Sequence, residues 1–559
     1  MLGTFWFVVL QALRARQDAV LQYAFLSFLL WRMNKILAMY IKRPQSVPLM
    51  GTSPWRPPFF GKSISTLQYI ASAPDMIPKA YLKAGGRSFA IPSLAEYQVL
   101  ISSKDQVKEL SESSEDVLSF HAAMNDRLSH KHTMYGFEHN DVDPHNAIPA
   151  RTLKVLLRTN LENILPAFTR RIKEVFAKEV DRKPSADGGW VSVSAFGLAR
   201  AITGQINNQI LVGEELTNNE EYTKAAMRYS HDVAVAMEVC RQLPKSFVPF
   251  VATAIMRWSG AMNTIAKYIT PVVVQRVQIA NDLRNEKETK DKPVSNSKSA
   301  VVTVGPLPLK LLQLDCIQWV LESSHKPSQR NVTRMVQQII ALLFASAHQL
   351  PMALAYTIFN LCSFPEYIEP LRAELETVGT TEGLEKCVLL DSFLRESARF
   401  SPMDALSIQR KAIQPYTFSD GAYIPAGNLV CVPQAAIMLD PNNYTAAGTF
   451  DGFRFVKKEQ NRPLQSDETE PKKAIGEEEA RTKFTDVDWK FPFWGASKRA
   501  CPARWYVSLS LKSTLAHLLL NYDFELENPA AKRVFWWTTA IVPRSGVKLR
   551  LRKREKRGL

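Results

Sequence analysis

A single cysteine lies near the end of residues 491–504, which read Phe491-Pro-Phe-Trp-Gly-Ala-Ser-Lys-Arg-Ala-Cys501-Pro-Ala-Arg504. Apolar residues recur every three or four positions over 502–520, which predicts a helix that starts at Pro502, a favoured first helical residue. Because the helix amino end, Arg499 and Arg504 are all positive, we expect them to lower the thiol pKa. A thiolate can be a nucleophile or a metal ligand, so the loop alone leaves both chemistries open.

Three further segments precede this loop in the chain. They are Glu396-Ser-Ala-Arg399 in a helical pattern, Asp420-Gly-Ala-Tyr-Ile-Pro-Ala-Gly427 in a hairpin pattern, and Phe450-Asp-Gly-Phe-Arg454-Phe. A Glu–Arg pair three residues apart is common on any helix and indicates nothing by itself. In this order, and together with the Cys501 loop, the segments resemble the cytochrome P-450 family, whose heme-binding loop also ends in basic-x-Cys-Pro. The resemblance extends over residues 330–550.

The resemblance implies a heme b cofactor and a set of residues that hold it. Cys501 would be the thiolate ligand of the iron, with backbone N–H groups at the start of helix 502–520 donating to its sulfur. Trp494 would pack against the macrocycle on the thiolate side. Arg499 and Arg410 would pair with the heme propionates, although Arg410 could equally be a surface arginine.

The resemblance also implies a buried charge network beneath the heme. Glu396, Arg399 and Arg454 would form it and fix the cysteine loop, a structural role. The loop departs from the family pattern at Ser497 and Ala503, where glycine is usual. Both substitutes are small, so we expect heme binding to survive, with mild strain if residue 497 requires a positive φ.

On the oxygen side, apolar periodicity predicts one long helix over 331–362. The family normally has an acid followed by threonine here, whereas this chain reads Ala345-Ser-Ala-His348-Gln349-Leu350. His348 could relay protons, Ser346 or Gln349 could hold a water, and Pro351 would kink the helix. His348 could instead be a hydrogen-bonded core residue, and the missing threonine leaves a rearrangement or a desaturation open as the reaction.

Length and composition bound the remaining alternatives. The chain has 559 residues, 46% hydrophobic and 22% charged, which excludes a disordered chain and allows a large core. Of the net charge of +16, the last sixteen residues contribute +7, from eight cations and one anion. No nucleic-acid-binding spacing accompanies this basic tail, so we expect no nucleic-acid partner and favour an acidic protein or membrane surface. The six cysteines are too sparse for a disulfide scaffold and indicate a reducing compartment.

The amino terminus is apolar. Residues 19–41 are long enough to cross a bilayer if Arg32 and Lys35 reach the interface, and the cations that follow would keep the next domain cytosolic. We therefore expect a membrane anchor at 1–43, a proline-rich hinge at 44–61 and one catalytic domain at 62–559, on the endoplasmic reticulum membrane. An amphipathic helix lying on the membrane surface is the alternative.

The expected fold class is mostly α with small peripheral β-sheets, a single heme domain of the cytochrome P-450 type behind the anchor. Helical spacing covers 152–181, 217–240, 331–362, 366–377, 388–399 and 502–520. Strand patterns are short, at Leu406–Arg410, Tyr423–Pro433, Trp536–Val542 and Val547–Leu551.

The implied function is a heme-thiolate monooxygenase that uses O2 and electrons from NADPH through NADPH–cytochrome P-450 reductase. The sequence around His348 resembles the same segment in fungal family members that oxidise secondary-metabolite intermediates. The expected substrate is therefore a hydrophobic terpenoid or mixed polyketide–terpenoid. It would contact Leu118–Tyr135, the helices near 230–260, helix 331–362 and Ser401–Ser407. The alternatives are a catalytically silent heme-binding membrane scaffold and a cysteine-nucleophile hydrolase without heme.

Overall fold

The computed structural model describes residues 41–50, 58–93, 96–138, 147–185, 187–241, 243, 245–290, 313–378, 383–456 and 482–555, with scattered positions between 22 and 37. The predicted anchor at 1–43 lies mostly outside these residues. Of the predicted hinge at 44–61, residues 51–57 lie outside them, and residues 58–61 belong to a helix that begins at Pro58 rather than to a hinge. Two polar segments, 284–300 and 457–483, are predicted to be surface loops, and most of their length also lies outside them. The first segment begins as a helix rather than a loop, because helix Ala261–Lys290 continues into it.

Helices dominate the described chain, as the apolar spacing predicts. In chain order they are α1 (Pro58–Ala84), α2 (Lys104–Glu112), α3 (Phe120–Leu128), α4 (His130–Thr133), α5 (Ala147–Arg151), α6 (Leu161–Phe176), α7 (Ala195–Asn218), α8 (Glu220–Cys240), α9 (Val248–Ser259), α10 (Ala261–Lys290), α11 (Cys316–Ser323), α12 (Val332–Ala347), α13 (Gln349–Ser363), α14 (Ile368–Val378), α15 (Val388–Phe400), α16 (Gln434–Met438) and α17 (Arg504–Asn521). The helix predicted over 152–181 is interrupted, since π-helical turns at Thr152–Leu157 and Ala177–Asp181 lie on either side of α6.

The strands are short and form small sheets. They are β1 (Phe89–Pro92), β2 (Tyr97–Leu100), β3 (Leu118–Ser119), β4 (Val191–Ser194), β5 (Ser407–Ala412), β6 (Tyr416–Thr417), β7 (Tyr423–Ile424), β8 (Leu429–Val432), β9 (Tyr522–Leu526), β10 (Val534–Trp537), β11 (Ala540–Pro543) and β12 (Lys548–Lys553). The largest sheet has the order β1-β2-β8-β5-β3, a second has the order β4-β12-β9, and β6–β7 and β10–β11 are two-stranded. A mostly helical fold with small sheets is therefore confirmed.

Side-chain caps define where several helices begin. At six helices the residue before the first turn accepts a hydrogen bond from a backbone N–H of that turn, which satisfies one of the donors left free at a helix start. These residues are Ser103, Ser119, Ser194, Asn219, Asp315 and Asn331. The cap at Asn219 explains why the helix predicted from residue 217 begins at Glu220.

The long helix predicted over 331–362 is two helices, α12 and α13. They are separated at His348, whose φ of −108° departs from helical geometry. Pro351 lacks the N–H that would bond to the Ala347 carbonyl, so the break lies where the predicted kink was expected. Residues 332–363 together are the one stretch among the described helices that is long and apolar enough to cross a membrane, but 56% of its most apolar window is buried within the protein. They are better understood as core helices.

Two apolar clusters form the core, and the Cys501 loop joins them. The larger cluster packs the helices together and includes Trp494 of the loop. The smaller one lies between α1 and the five-stranded sheet and includes Ala496. Because residues two apart in the loop belong to different clusters, packing on both sides holds the loop in place.

Candidate active site

Two unusual backbone angles shape the loop before Cys501. Gly495 has a φ of 88° and Ser497 a φ of 49°, so both lie in the left-handed region. The resulting turn lets the Cys501 N–H donate to the Trp494 carbonyl at 2.6 Å. A positive φ strains any residue other than glycine. It occurs at Ser497, which is one of the two positions where the family pattern has glycine. Ala503, the other position, has an ordinary φ of −93°.

The surroundings of the Cys501 thiol differ from the prediction. Burial raises the pKa of the Cys501 thiol, and the Ala503 N–H bond and the Arg504 charge offset this only in part. The prediction of a lowered pKa was wrong because helix α17 begins at Arg504 rather than Pro502, and because burial outweighs the nearby positive charge. The predicted donation from backbone N–H to sulfur is present at Ala503.

An aromatic layer surrounds the start of the loop. Trp494 is buried, and its indole N–H donates to the Phe484 carbonyl at 2.6 Å. The ring centroid of Trp494 lies 4.9 Å from that of Phe484 and 4.7 Å from that of Phe493. Phe484 and Phe493 also line a small cavity with Ala353 of α13 and Met403, which follows α15.

Glu396, Arg399 and Arg454 meet in the buried core. The Arg399 guanidinium donates to both carboxylate oxygens of Glu396 at 2.7 Å, and Arg454 Nε donates to Glu396 Oε2 at 3.0 Å. The Glu396 and Arg399 side chains are fully buried, and that of Arg454 is 13% exposed. The carboxylate therefore has two guanidinium partners, as the motif comparison predicts.

The network is attached to the segment before the cysteine loop. Arg399 Nη1 donates to the carbonyls of Met438 and Ala447, both at 2.8 Å. Its guanidinium also lies 5.1 Å from the ring centroid of Tyr444, whose hydroxyl donates to the Lys490 carbonyl at 3.0 Å. Tyr444 thus connects the charge network to the residue just before the cysteine loop.

Arg410 and Arg499 lie near each other but in different environments. Arg499 forms an ion pair with Glu115 and donates to the Ser113 carbonyl at 2.7 Å. Arg410 is 4% exposed, so it is not a surface arginine, and among the described residues its Nε has no hydrogen-bond partner. Burial, followed by the Arg499 charge, lowers the pKa of Arg410 to about 10.

The three predicted oxygen-side residues lie around the break between α12 and α13. His348 Nε2 lies 3.2 Å from the Ser230 carbonyl on α8, and burial lowers the pKa of its imidazole. Ser346 Oγ donates to the Leu343 carbonyl at 3.0 Å, so its hydroxyl proton is used within the helix. Gln349 is exposed, although the neighbouring Leu350 is buried. His348 therefore has the contact expected of a core histidine, whereas the Gln349 side chain has no hydrogen-bond partner in the part of the chain that the structure describes.

Sequence reasoning did not identify several residues at the site. Glu115, the partner of Arg499, lies 384 positions away in the chain and belongs to no motif. Although burial raises it, hydrogen bonds from His121 and Ser119 hold the pKa of Glu115 below its usual range. Near α12, Asn207 donates to the Ser346 carbonyl at 2.9 Å and accepts from the Tyr506 hydroxyl at 2.6 Å.

Several cations of the basic tail, within residues 544–555, pair with acids of the fold. Strand β12 pairs with β9, which brings Arg550 within 3.0 Å of Glu525 and Arg552 within 3.3 Å of Asp523. Lys553 lies 2.9 Å from Asp181. These paired cations remain partly exposed, so docking of the tail on an acidic protein or a membrane surface stays a prediction.

Comparison with known proteins assigns the family. The cytochrome P-450 family model matches residues 53–549. Similar curated proteins include cytochrome P-450 monooxygenase 151 of Postia placenta, 26% identical over 534 residues that cover 93% of this chain and 97% of that protein. Cytochrome P-450 monooxygenase paxQ of Penicillium paxilli is 24% identical over 85% of this chain and 86% of its own. The retinoic-acid-bound cyanobacterial CYP120A1 has the same fold, with a TM-score of 0.63 and 16% identity over 91% of this chain and all of its own.

The chain belongs to the cytochrome P-450 family and is a cytochrome P-450 monooxygenase. Membership implies a heme-thiolate cofactor, O2 and an electron-transfer partner. Membership of this family excludes the alternative of a cysteine-nucleophile hydrolase without heme. The raised pKa of the Cys501 thiol also disfavours that alternative. No described histidine forms a hydrogen bond with the Cys501 thiol, as such a nucleophile would require.

Proposed function

We propose that Cys501 is the thiolate ligand of heme b and that the enzyme oxidises a hydrophobic secondary-metabolite intermediate. The observation that carries this proposal is the Cys501 loop, with its buried sulfur and the Ala503 N–H bond. The raised pKa of the free thiol does not oppose this assignment, because a bound metal cation stabilises the thiolate and a coordinating thiol is deprotonated. The heme, when bound, would supply the chemistry that activates O2. The residues around Cys501 would hold the heme in position.

The residues present fit a heme. Arg410 offers a buried Nε without a described partner, which matches an anionic propionate. Arg499 can contribute a second donor if its pairing with Glu115 is shared. Trp494 is held at the start of the loop by its bond to Phe484 and supplies an apolar surface on the cysteine side.

The oxygen side supports monooxygenation with an altered proton path. Ala345 and Gln349 are both exposed, on either side of the helix break at His348. Gln349 stands where the family has threonine and can hold a water through its amide. His348 Nε2 can donate to the Ser230 carbonyl, which has no proton to pass on, so this contact orients the imidazole. A rearrangement or desaturation remains the alternative outcome for a site without this threonine.

The electron donor is proposed to be NADPH–cytochrome P-450 reductase, bound on the side of the cysteine loop. Trp505 is stacked between two guanidinium groups there, with Arg158 3.8 Å and Arg504 3.6 Å from its ring centroid. An acidic partner would be attracted to this pair of cations. Arg504 also donates to the Cys501 carbonyl at 3.1 Å, so the same side chain contacts both the surface and the ligand loop.

The location is proposed to be the endoplasmic reticulum membrane, with the catalytic domain cytosolic. Support comes from the apolar composition of residues 19–41 and from the described side chains there, since Tyr23, Phe25, Leu30 and Met33 are all exposed. The substrate class, a terpenoid or mixed polyketide–terpenoid, is supported by the sequence around His348 and by the fungal source of the relatives.

The deciding experiment is the absorption spectrum of the reduced protein under carbon monoxide. We expect a strongly red-shifted Soret band that is lost in Cys501→Ala and kept in Cys240→Ala, a control at a buried cysteine outside the loop. A heme signal that does not depend on Cys501 would contradict the ligand assignment. NADPH-dependent turnover with reductase would then separate the monooxygenase from a silent heme-binding scaffold.

A further inference from the structure

The carboxylate of Glu115 has several hydrogen-bond partners beside the cysteine loop. Its Oε1 pairs with the guanidinium of Arg499, which lies two residues before Cys501. Its Oε2 accepts from the Ser119 hydroxyl at 2.9 Å and from the His121 N–H at 3.2 Å. The Nδ1 atom of the His121 imidazole also lies 3.2 Å from this oxygen. Because both oxygens are engaged, the carboxylate is held in one position.

The same stretch of chain fixes the orientation of Arg499. Its Nη1 pairs with Glu115, and its Nη2 donates to the carbonyl of Ser113, the residue after α2, at 2.7 Å. A guanidinium is planar and has five N–H donors, and these two contacts use one donor on each terminal nitrogen. They therefore fix the plane of the guanidinium and leave it able to donate to a further acceptor.

Strand pairing brings Arg410 to the same place. Strand β3 lies between Glu115 and His121 in the chain and pairs antiparallel with β5, which carries Arg410. The Arg410 guanidinium carbon lies 5.1 Å from the ring centroid of Phe120, the residue that follows β3. The centroid of the Phe120 ring is in turn 5.8 Å from that of the His121 imidazole. Contacts through two neighbouring rings thus join Arg410 to the Glu115 carboxylate.

The charges of this cluster do not balance once a heme is bound. Arg410 forms no ion pair among the described residues, and its Nη1 donates to the Gln409 carbonyl at 2.9 Å. The charge of Arg499 is offset by Glu115. Two heme propionates would add two negative charges, so three carboxylates would share two guanidinium groups. The Glu115 side chain is only 27% exposed, so solvent screens its charge less than that of a surface acid.

We propose that Glu115 is a positioning residue that orients Arg499 toward a heme propionate and lowers the reduction potential of the heme iron through its charge. This inference rests on the proposed heme site and adds to it a residue outside the family motifs. The pair offers a propionate a hydrogen-bond donor while its own net charge stays near zero. Reduction adds an electron to the iron, and an uncompensated negative charge nearby makes that addition less favourable.

The test is a redox titration of the full-length, heme-loaded protein, followed by the Soret band and requiring neither substrate nor turnover. Glu115→Gln removes the charge but keeps a side-chain oxygen that can accept from Ser119 or His121. We expect the ratio of reduced to oxidised heme at a fixed applied potential to rise about tenfold. For a one-electron couple this is an upward shift of about 59 mV in the reduction potential.

Two further variants separate the charge of Glu115 from its packing and from the surface charge. Asp116→Asn removes one negative charge at the next residue, which is exposed and whose side chain has no hydrogen bond or ion pair within the described residues. Water and salt screen an exposed charge, so the ratio should change less than twofold. Glu115→Asp keeps the charge on a shorter side chain and should also change the ratio less than twofold.

Three results would overturn the proposal. They are an unchanged potential in Glu115→Gln, an equal shift in Asp116→Asn, and a shift in Glu115→Asp as large as that in Glu115→Gln. The heme site itself is tested on the same samples by the reduced carbon monoxide spectrum. Absence of the red-shifted Soret band from the unaltered protein would overturn the heme site, and this proposal with it. A normal band with an unchanged potential would overturn only the role of Glu115.

Discussion

Ser497 should be a source of strain in the cysteine loop, and replacing it with glycine should stabilise the protein. Its φ of 49° lies in the left-handed region, which costs an L-residue about 1–2 kcal/mol. Glycine avoids this cost but loses about 0.5–1 kcal/mol more backbone entropy on folding. The Ser497 side chain is exposed and makes no described hydrogen bond, so nothing else is lost. Ser497→Gly should therefore raise the free energy of unfolding by about 0.5–1 kcal/mol.

The assay is urea unfolding of the heme-loaded protein, followed by loss of the Soret band of the reduced carbon monoxide complex. Ala500→Gly is the control, because Ala500 lies three residues further along the same loop with an ordinary φ of −61°. Glycine has no steric advantage there and should lower the free energy of unfolding by about 0.5–1 kcal/mol. The reasoning would be refuted if both variants lowered stability by the same amount, since entropy alone would then explain them.

Other changes test the charge network and a buried acid. Glu396→Gln leaves two guanidinium groups without their carboxylate and should cost about 3–5 kcal/mol in urea unfolding. Arg454→Met should cost only about 2 kcal/mol, since Glu396 keeps the bidentate Arg399; equal losses would contradict this order. Burial raises the pKa of Glu96 to about 7, so its folded form holds a proton that the unfolded form releases above its pKa of 4.5. Stability should therefore fall by up to about 1.4 kcal/mol per pH unit as the pH rises from 4.5 to 7, and Glu96→Gln should remove that slope from unfolding curves.

Local motifs predicted the parts of the site that depend on neighbours in the sequence. The Glu396–Arg399 pair is set by helical spacing, and Arg454 belongs to a short segment with its own pattern. The sequence predicts strain at residue 497 only if a positive φ is required there, and the structure has that positive φ, in the turn that brings the Cys501 N–H to Trp494. The helical and strand patterns likewise predicted the fold class and the positions of the long helices after residue 330 within a few residues. They did not predict the helices Pro58–Ala84, Ala195–Asn218 and Ala261–Lys290.

Contacts between distant segments could not be predicted from the sequence. The strands Phe89–Pro92 and Tyr97–Leu100 were missed, since their apolar runs are only four residues long. The raised pKa of Cys501 depends on how completely the fold buries the sulfur, which local charge does not indicate. The contact between Glu115 and Arg499 could be recognised only in the folded structure. An acidic residue in a loop has no sequence pattern that would predict such a contact.

The buried charged groups of the site differ in whether the protein itself supplies all their partners. This difference separates the groups that support the structure from those that can bind a ligand. Glu396 is matched by two guanidinium groups that also bind backbone carbonyls, so this network needs nothing from outside the chain. Arg410 differs, because its Nη1 donates to the Gln409 carbonyl at 2.9 Å but its Nε has no partner among the described residues. The neighbouring Glu115 carboxylate is paired with Arg499. A buried cation without a carboxylate of its own costs free energy, and the binding of an anion can offset that cost. Arg410 therefore lies where an anionic heme propionate would supply the missing contact, so heme binding should complete a part of the interior that folding leaves unsatisfied.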